Sequence, residues 1–197
     1  MIRNQLRPAI LLTFVFIVVT GLIYPGVVTG IAKVIFPRQA NGSLVTVNGQ
    51  IIGSSLIGQQ FAQPWYFHPR PSAAGSGYDA TASGGTNKGP TDRKLADTLV
   101  AGAIAQAESA GVPKGQVPAD MATTSASGLD PHISPANAFF QVRRVAAARN
   151  ADSTKVRELV QNHVEGRQLG FLGEPRVNVL VLNLALDSAF PKPAAAH

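Results

Sequence analysis

An uninterrupted apolar run opens the chain. No residue from Pro8 to Ala32 carries a charge, and the centre reads Ile10-Leu11-Leu12-Thr13-Phe14-Val15-Phe16-Ile17-Val18-Val19. At ~1.5 Å per residue a helix over this run spans about 37 Å, against roughly 30 Å of hydrocarbon in a bilayer. Only a helix satisfies its own backbone groups in that medium. Pro8 is expected in the first turn, and Tyr24 and Pro25 at the far interface. A cleaved signal peptide has an apolar core of about 7–15 residues. This run is longer and no Ala-x-Ala site follows it, so residues 1–33 read as an uncleaved anchor with one transmembrane helix over 8–32.

Beyond the anchor the pattern changes, and residues 34–190 read as one soluble domain. Val45-Thr46-Val47, Asn48-Gly49 and Ile51-Ile52 form a hairpin signal, because Asn-Gly accepts the two positive φ angles of a type I′ turn. Gln63 to Pro90 is dense in Gly, Ser, Pro, Thr and Asn and reads as a long functional loop. A helix is predicted from Thr91 or Asp92 to Ala110, ended by Gly111. A second starts at Ser134, with Ala138, Val142, Val145 and Ala146 on its inner side. A third starts near Asp152 or Ser153, with Val156, Leu159, Val160 and Val164 at helical spacing, and closes at Gly166. Arg176 to Asp187 alternates branched apolar residues with Asn178 and Asn183, which predicts a long central strand. Residues 191–197 read as a frayed tail. Several helices and few strands give an α+β domain behind one N-terminal transmembrane helix.

Charge then sets the orientation. The chain has 197 residues, with 17 Lys and Arg against 11 Asp and Glu, a net +6. Arg3, Arg7 and Lys33 flank the apolar run, and no acid precedes Asp79. The excess left on the domain is too mild to indicate nucleic acid. The basic N-terminus favours an inside position, leaving the domain extracytoplasmic. There is no cysteine, which excludes disulfides, thiolate metal sites and a cysteine nucleophile.

Candidate chemistry is sparse. Gly84-Gly85-Thr86-Asn87-Lys88-Gly89-Pro90-Thr91 precedes a helix start, where backbone N–H groups can face an anion. Its lysine precedes the last glycine, however, so the phosphate-loop pattern is not met and the stretch reads as a turn feeding a capped helix. Gly75-x-Gly77-x-x-Ala80 follows no strand and opens no helix. His68, His132, His163 and His197 never lie three or four residues apart, and Asp130-Pro131-His132 reads as a turn capping the helix at Ser134 rather than as a metal site. No nucleophile motif accompanies the scattered Ser, His and Asp residues. Arg143, Arg144 and Arg149 read as a solvated helix face. The aromatic stretch Trp65-Tyr66-Phe67 suits a headgroup interface or a partner groove.

Three blocks resemble a known family. They are Phe67-His68-Pro69-Arg70-Pro71-Ser72-Ala73 with Ser83-Gly84-Gly85-Thr86-Asn87-Lys88-Gly89-Pro90-Thr91; Thr124-Ser125-Ala126-Ser127-Gly128-Leu129-Asp130-Pro131-His132-Ile133-Ser134-Pro135 with Gln141-Val142-Arg143-Arg144; and Gly170-Phe171-Leu172-Gly173-Glu174-Pro175-Arg176-Val177-Asn178. In this order behind an anchor they are similar to the C subunit of Kdp-type potassium-transporting P-type ATPases. Thr86 stands where the family more often has Ser. The resemblance implies an accessory subunit of an inner-membrane potassium uptake complex. Its partners would be a channel-like subunit, an ATP-hydrolysing P-type subunit and a small single-span peptide, with no catalysis by the chain itself. The family is described as a catalytic chaperone that raises ATP affinity. That description implies nucleotide contacts at Ser83, Gly84, Gly85 and Gln141, with no tightly bound cofactor and no metal, although the nearest stretch to the family's Leu-Ser-Gly-Gly-Gln-like motif, Ala82-Ser83-Gly84-Gly85-Thr86, lacks both Leu and Gln. Trp65, Tyr66, Phe67, Arg70, Tyr78, Asn87, Asp130 and His132 are the expected docking residues, placing loops 65–91 and 124–135 on the channel-like subunit. The competing class is an anchored extracytoplasmic binding protein or hydrolase.

Overall fold

The computed structural model describes residues 2–192, with side chains from Asn4 onward. By its internal contacts the chain divides between Ser54 and Ser55.

The first unit is a helix with a hairpin behind it. Helix α1 (Ile2–Val18) passes through one π-helical turn (Val19–Ile23) into α2 (Tyr24–Ile35). The stretch Asn4–Ile35 is 32 residues long and none of its most apolar window is buried in the protein, so it is long and apolar enough to cross a membrane. One expectation within it is corrected. Pro8 lies inside α1 and not in its first turn, which a membrane helix tolerates where neighbouring groups re-satisfy the backbone. Tyr24 and Pro25 open α2, which runs on to Ile35. Pro25 has no N–H to offer the turn before it, and the Tyr24 N–H reaches back to the Val19 carbonyl, five residues earlier. The π turn is the local adjustment to that missing donor. After the short helix α3 (Pro37–Ala40), β1 (Leu44–Val47) pairs antiparallel with β2 (Gln50–Ser54), Val47 opposite Gln50. Asn48 (φ 50°) and Gly49 (φ 80°) make the turn with the two positive φ angles foreseen.

The second unit is mixed helix and strand. It contains α4 (Arg93–Ala110), α5 (Ala119–Ala122), β3 (His132–Ile133), α6 (Pro135–Ala148), α7 (Ser153–Asn162), β4 (Val164–Glu165), β5 (Arg176–Asn178) and α8 (Val179–Ala189). Its sheet has the order β3-β5-β4, both pairings antiparallel, with His132 opposite Asn178 and Val164 opposite Val177. The start signals at three helices hold. Asp92 accepts from the Leu95 N–H, Ser134 from Asn137 and Asp152 from Thr154, which satisfies first-turn donors that would otherwise be orphaned. Gly111, at φ 65°, ends α4. The core gathers Val142 and Val145 of α6, Val156 and Val160 of α7, Val177 of β5, Leu182 and Leu186 of α8, and Phe67 from the long loop.

The expected strand over 176–187 is corrected. Only Arg176–Asn178 is extended; Val179–Ala189 is helix. The Asn178 side chain accepts from the Val181 N–H and caps the switch, while its amide donates to the Ser55 carbonyl. Val179, Leu182, Asn183 and Leu186 are buried, a spacing of three, one and three that lays one helix face on the core. In a run where nearly every residue is apolar, alternation and helical spacing cannot be told apart, and branched side chains then argue falsely for a strand. Residues 63–90 contain no helix or strand, as foreseen. Of the tail, residues 193–197 lie outside the described residues.

Candidate functional site

The long loop is tied down by side chains of α6 and α8. Two amides pair with consecutive residues of it as a neighbouring strand would. Asn183 accepts from the Phe67 N–H (2.9 Å) and donates to the Phe67 carbonyl (2.9 Å). Gln141 accepts from the His68 N–H (2.7 Å) and donates to the His68 carbonyl (2.9 Å). The remaining Gln141 hydrogen goes to Asn137 Oδ1 (2.7 Å), and its oxygen also accepts from Arg144 (2.6 Å). The Asn137 amide in turn donates to Asp120 (3.0 Å), which also accepts from the Ser134 N–H and hydroxyl. A buried polar chain therefore runs from Asp120 to the loop, each member paired as burial requires.

Two arginines complete the attachment, which corrects the solvated-face reading for them. Arg144 donates to the carbonyls of Pro64 and Tyr66. Burial pulls its pKa down to about 10. Arg149 has a fully buried side chain and serves three acceptors: Trp65 O (2.8 Å), Phe190 O (2.9 Å) and Asp187 (2.7 Å). Arg143 is exposed, as expected. Tyr66 donates to Asp187 (2.9 Å) beneath the Arg149 guanidinium, 5.1 Å from the ring centroid. The Phe67 ring is wholly enclosed in the core, and Trp65 is half-buried.

The rest of the loop lies on segment 123–130. Arg70 donates to Asp130 (3.2 Å), Thr123 and the Thr124 carbonyl (3.0 Å). Burial acts to raise the Asp130 pKa, but hydrogen bonds from the His132 side chain and N–H, together with the Arg70 charge, outweigh it and hold the carboxyl below its ordinary value. Tyr78 donates to the Arg70 carbonyl, and burial, then the Asp130 charge, push its phenol up to about 12. Ser72 bridges the Gly128 carbonyl (2.6 Å) and the Tyr78 N–H (2.9 Å). Gly128 has φ 68°, and a Cβ there would lie 2.6 Å from that of Ala74, so only glycine fits. His132 sits in β3, its N–H on Asp130; Ser134 and Asp120, not the 130–132 turn, cap α6. Among the described residues no third His, Asp or Glu joins Asp130 and His132 in a metal-ligating group.

The residues expected to meet a nucleotide have hydrogen-bond partners or neighbours within the chain. The Ser83 hydroxyl and Gly84 N–H both donate to Ser127 O (3.0 and 2.9 Å), and Gly85 abuts Ala126. Gln141 sits on His68 with all four of its hydrogen-bonding positions in use. Asn87, in the left-handed region at φ 53°, stands exposed on the outer turn. A cleft of about 760 Å³ opens between the C-terminal half of α4 and α6, with Gln106, Glu108, Phe140, Arg143 and Arg144 on its walls. Asn183, Asp120 and the Arg149–Asp187 pair escape the sequence reading. Asn183 alone leaves a trace there, as an amide inside an apolar run.

His68 gives a measurable consequence. Burial, then the Arg144 charge, hold its pKa below 6.5, against a smaller opposite pull from the Gln63 carbonyl. With the folded value depressed, the stability contributed by the neutral ring is complete above pH 6.5 and is lost as pH falls through the folded value. Denaturant unfolding between about pH 7 and pH 5 is expected to show falling stability, and His68→Gln to flatten that slope. An unchanged slope in the variant would assign the proton elsewhere.

Fold and site together define a chain with one membrane-length helix and an α+β unit whose polar side chains close upon its own backbone. The family of the c chain of K+-transporting ATPase, KdpC, matches residues 6–188. The potassium-transporting ATPase KdpC subunit of Koribacter versatilis is 56% identical over 97% of this chain and 98% of its own length. That of Gemmatimonas aurantiaca is 57% identical over 94% and 93%, and that of Caulobacter vibrioides 53% over 98% and 97%. The chain belongs to the KdpC family.

Proposed function

We propose that this chain is an accessory, non-catalytic subunit of an ATP-driven potassium uptake complex. The observation that carries this is the family match, which spans the apolar helix and nearly the whole α+β unit. We place the N-terminus inside and the unit from Ser55 onward outside the plasma membrane; Arg3 and Arg7, ahead of the uncharged run that starts at Pro8, support that orientation. The partners are a channel-like subunit, a P-type ATP-hydrolysing subunit and a small single-span peptide.

The internal pairing of Trp65–His68 and Arg70 makes these residues a frame. The docking role then falls to the turn they carry, residues 80–91, exposed over most of its length. With Ser83, Gly84 and Gln141 engaged by their own chain, any effect on ATP use is assigned to contact between subunits rather than to a nucleotide held here. Two measurements test the reading. An alkaline phosphatase fused after His197 is expected to be active. The chain purified from membranes is expected to bring the other ATPase subunits with it, and Lys88→Glu to lower complex yield or apparent potassium affinity. An inactive fusion would reverse the orientation, and recovery with no large membrane partner would discard the function.

A further inference from the structure

The connection from β4 to β5 ends in a closed turn with an apolar crown. Gln168 and Leu172 exchange both backbone hydrogen bonds, each 2.9 Å, and the Phe171 N–H donates back to Gln168 (3.2 Å). Leu169 and Gly170 hold φ of 52° and 82°. A leucine in that region is disfavoured by its Cβ, so the turn holds the Leu169 backbone in a conformation the residue does not favour. Leu169 is 83% exposed, Phe171 69% and Leu172 47%. Beneath the crown lie two ion pairs, Arg167–Glu174 (2.7 Å) and Arg176–Glu165 (3.0 Å). Three large apolar side chains above a ring of matched charges have the anatomy of an interface centre and its polar rim.

We infer that the 168–172 turn is a docking tip that inserts Leu169, Phe171 and Leu172 into an apolar recess of another polypeptide of the same ATPase. The charges favour a protein over the bilayer. A lipid-seeking tip gains from unpaired Lys or Arg and from Trp or Tyr at the headgroups. Here Glu165 and Glu174 cancel the arginines, and the crown carries neither aromatic type. A protein recess with a polar rim matches both the apolar crown and the neutral ring. The inference rests on the proposed function for the identity of the partner, and adds a contact surface separate from residues 80–91.

The test uses the full chain co-expressed with the other ATPase subunits. A benzophenone-bearing residue at position 171 is expected to photo-crosslink to one of those subunits, identified by mass spectrometry. The double variant Leu169→Ser, Phe171→Ser is expected to lower the recovered partner at least about tenfold. Its own unfolding midpoint should hold, because these side chains are exposed. Undiminished recovery with the double variant, or photoproducts on lipid or on a second copy of this chain alone, overturns the tip. Wild-type chain that recovers no ATPase subunit overturns the proposed function and the tip together, which separates the two failures.

Discussion

Asn183→Leu is expected to destabilise the α+β unit by about 3–5 kcal/mol, one of the two largest effects foreseen for a single substitution. The side chains share a branched shape, but leucine is the larger, so overpacking at this buried position adds to the loss. What is lost is, among the described residues, the only partner of the N–H and the carbonyl of Phe67, whose residue is fully enclosed. Each buried backbone group left unpaired costs about 1–3 kcal/mol. Set against a total stability of about 5–15 kcal/mol, the unfolding midpoint should fall by roughly 10 °C in calorimetry. Gln141→Met removes the neighbouring clamp on His68 and should act in the same direction. The two clamps hold adjacent residues, so the double variant should lose less than the sum of the single losses. A strictly additive result, or a loss below about 1 kcal/mol for Asn183→Leu, would show that the loop does not depend on these amides.

The second large effect is at Arg149. Its buried guanidinium joins three separate partners: the Trp65 carbonyl, the Phe190 carbonyl and Asp187. Arg149→Met leaves two carbonyls unpaired, and Asp187 retains only Tyr66 and Lys192. Breaking a buried pair by removing one partner costs about 3–5 kcal/mol. Arg149→Lys should recover less than half of that. One ammonium on a flexible stem cannot serve three acceptors spread around a planar fork. Urea unfolding of the three proteins checks the order wild type, Lys, Met. Equal stability of Arg149→Lys and wild type would show that charge alone matters there.

Both effects bear on the docking surfaces. Asn183, Gln141, Arg144 and Arg149 hold the loop from Pro64 to His68, and that loop leads into the exposed turn at 80–91. Loss of a clamp should therefore weaken assembly even though the clamp meets no partner. Measured complex yield should track stability for these variants, and should fall without a stability change for the crown variants.

By itself the sequence determined what local chemistry decides. The apolar run fixes a helix because its backbone has no other partner in hydrocarbon. Asn48-Gly49 fixes a turn because few other residues accept positive φ twice in succession. Asp92, Ser134 and Asp152 fix helix starts because a short oxygen-bearing side chain reaches the first-turn N–H groups. The inner faces of α6 and α7 were legible because each mixes apolar and polar positions at one period, but the end of α7 was not: the helix stops at Asn162, short of Gly166, and Val164 belongs to β4. Only the tertiary structure decided the rest. Residues 179–189 form a helix that lays one face on the core and Asn183 on Phe67, more than a hundred positions earlier, and no periodicity within the run records that. Arg144 and Arg149 look like surface charges until the loop carbonyls arrive to surround them. The aromatic stretch at 65–67 reads as a docking patch because its partners, Asn183 and Asp187, lie at the other end of the chain. Long-range hydrogen bonds leave little imprint on the local pattern, and it is these bonds that set the frame of the site.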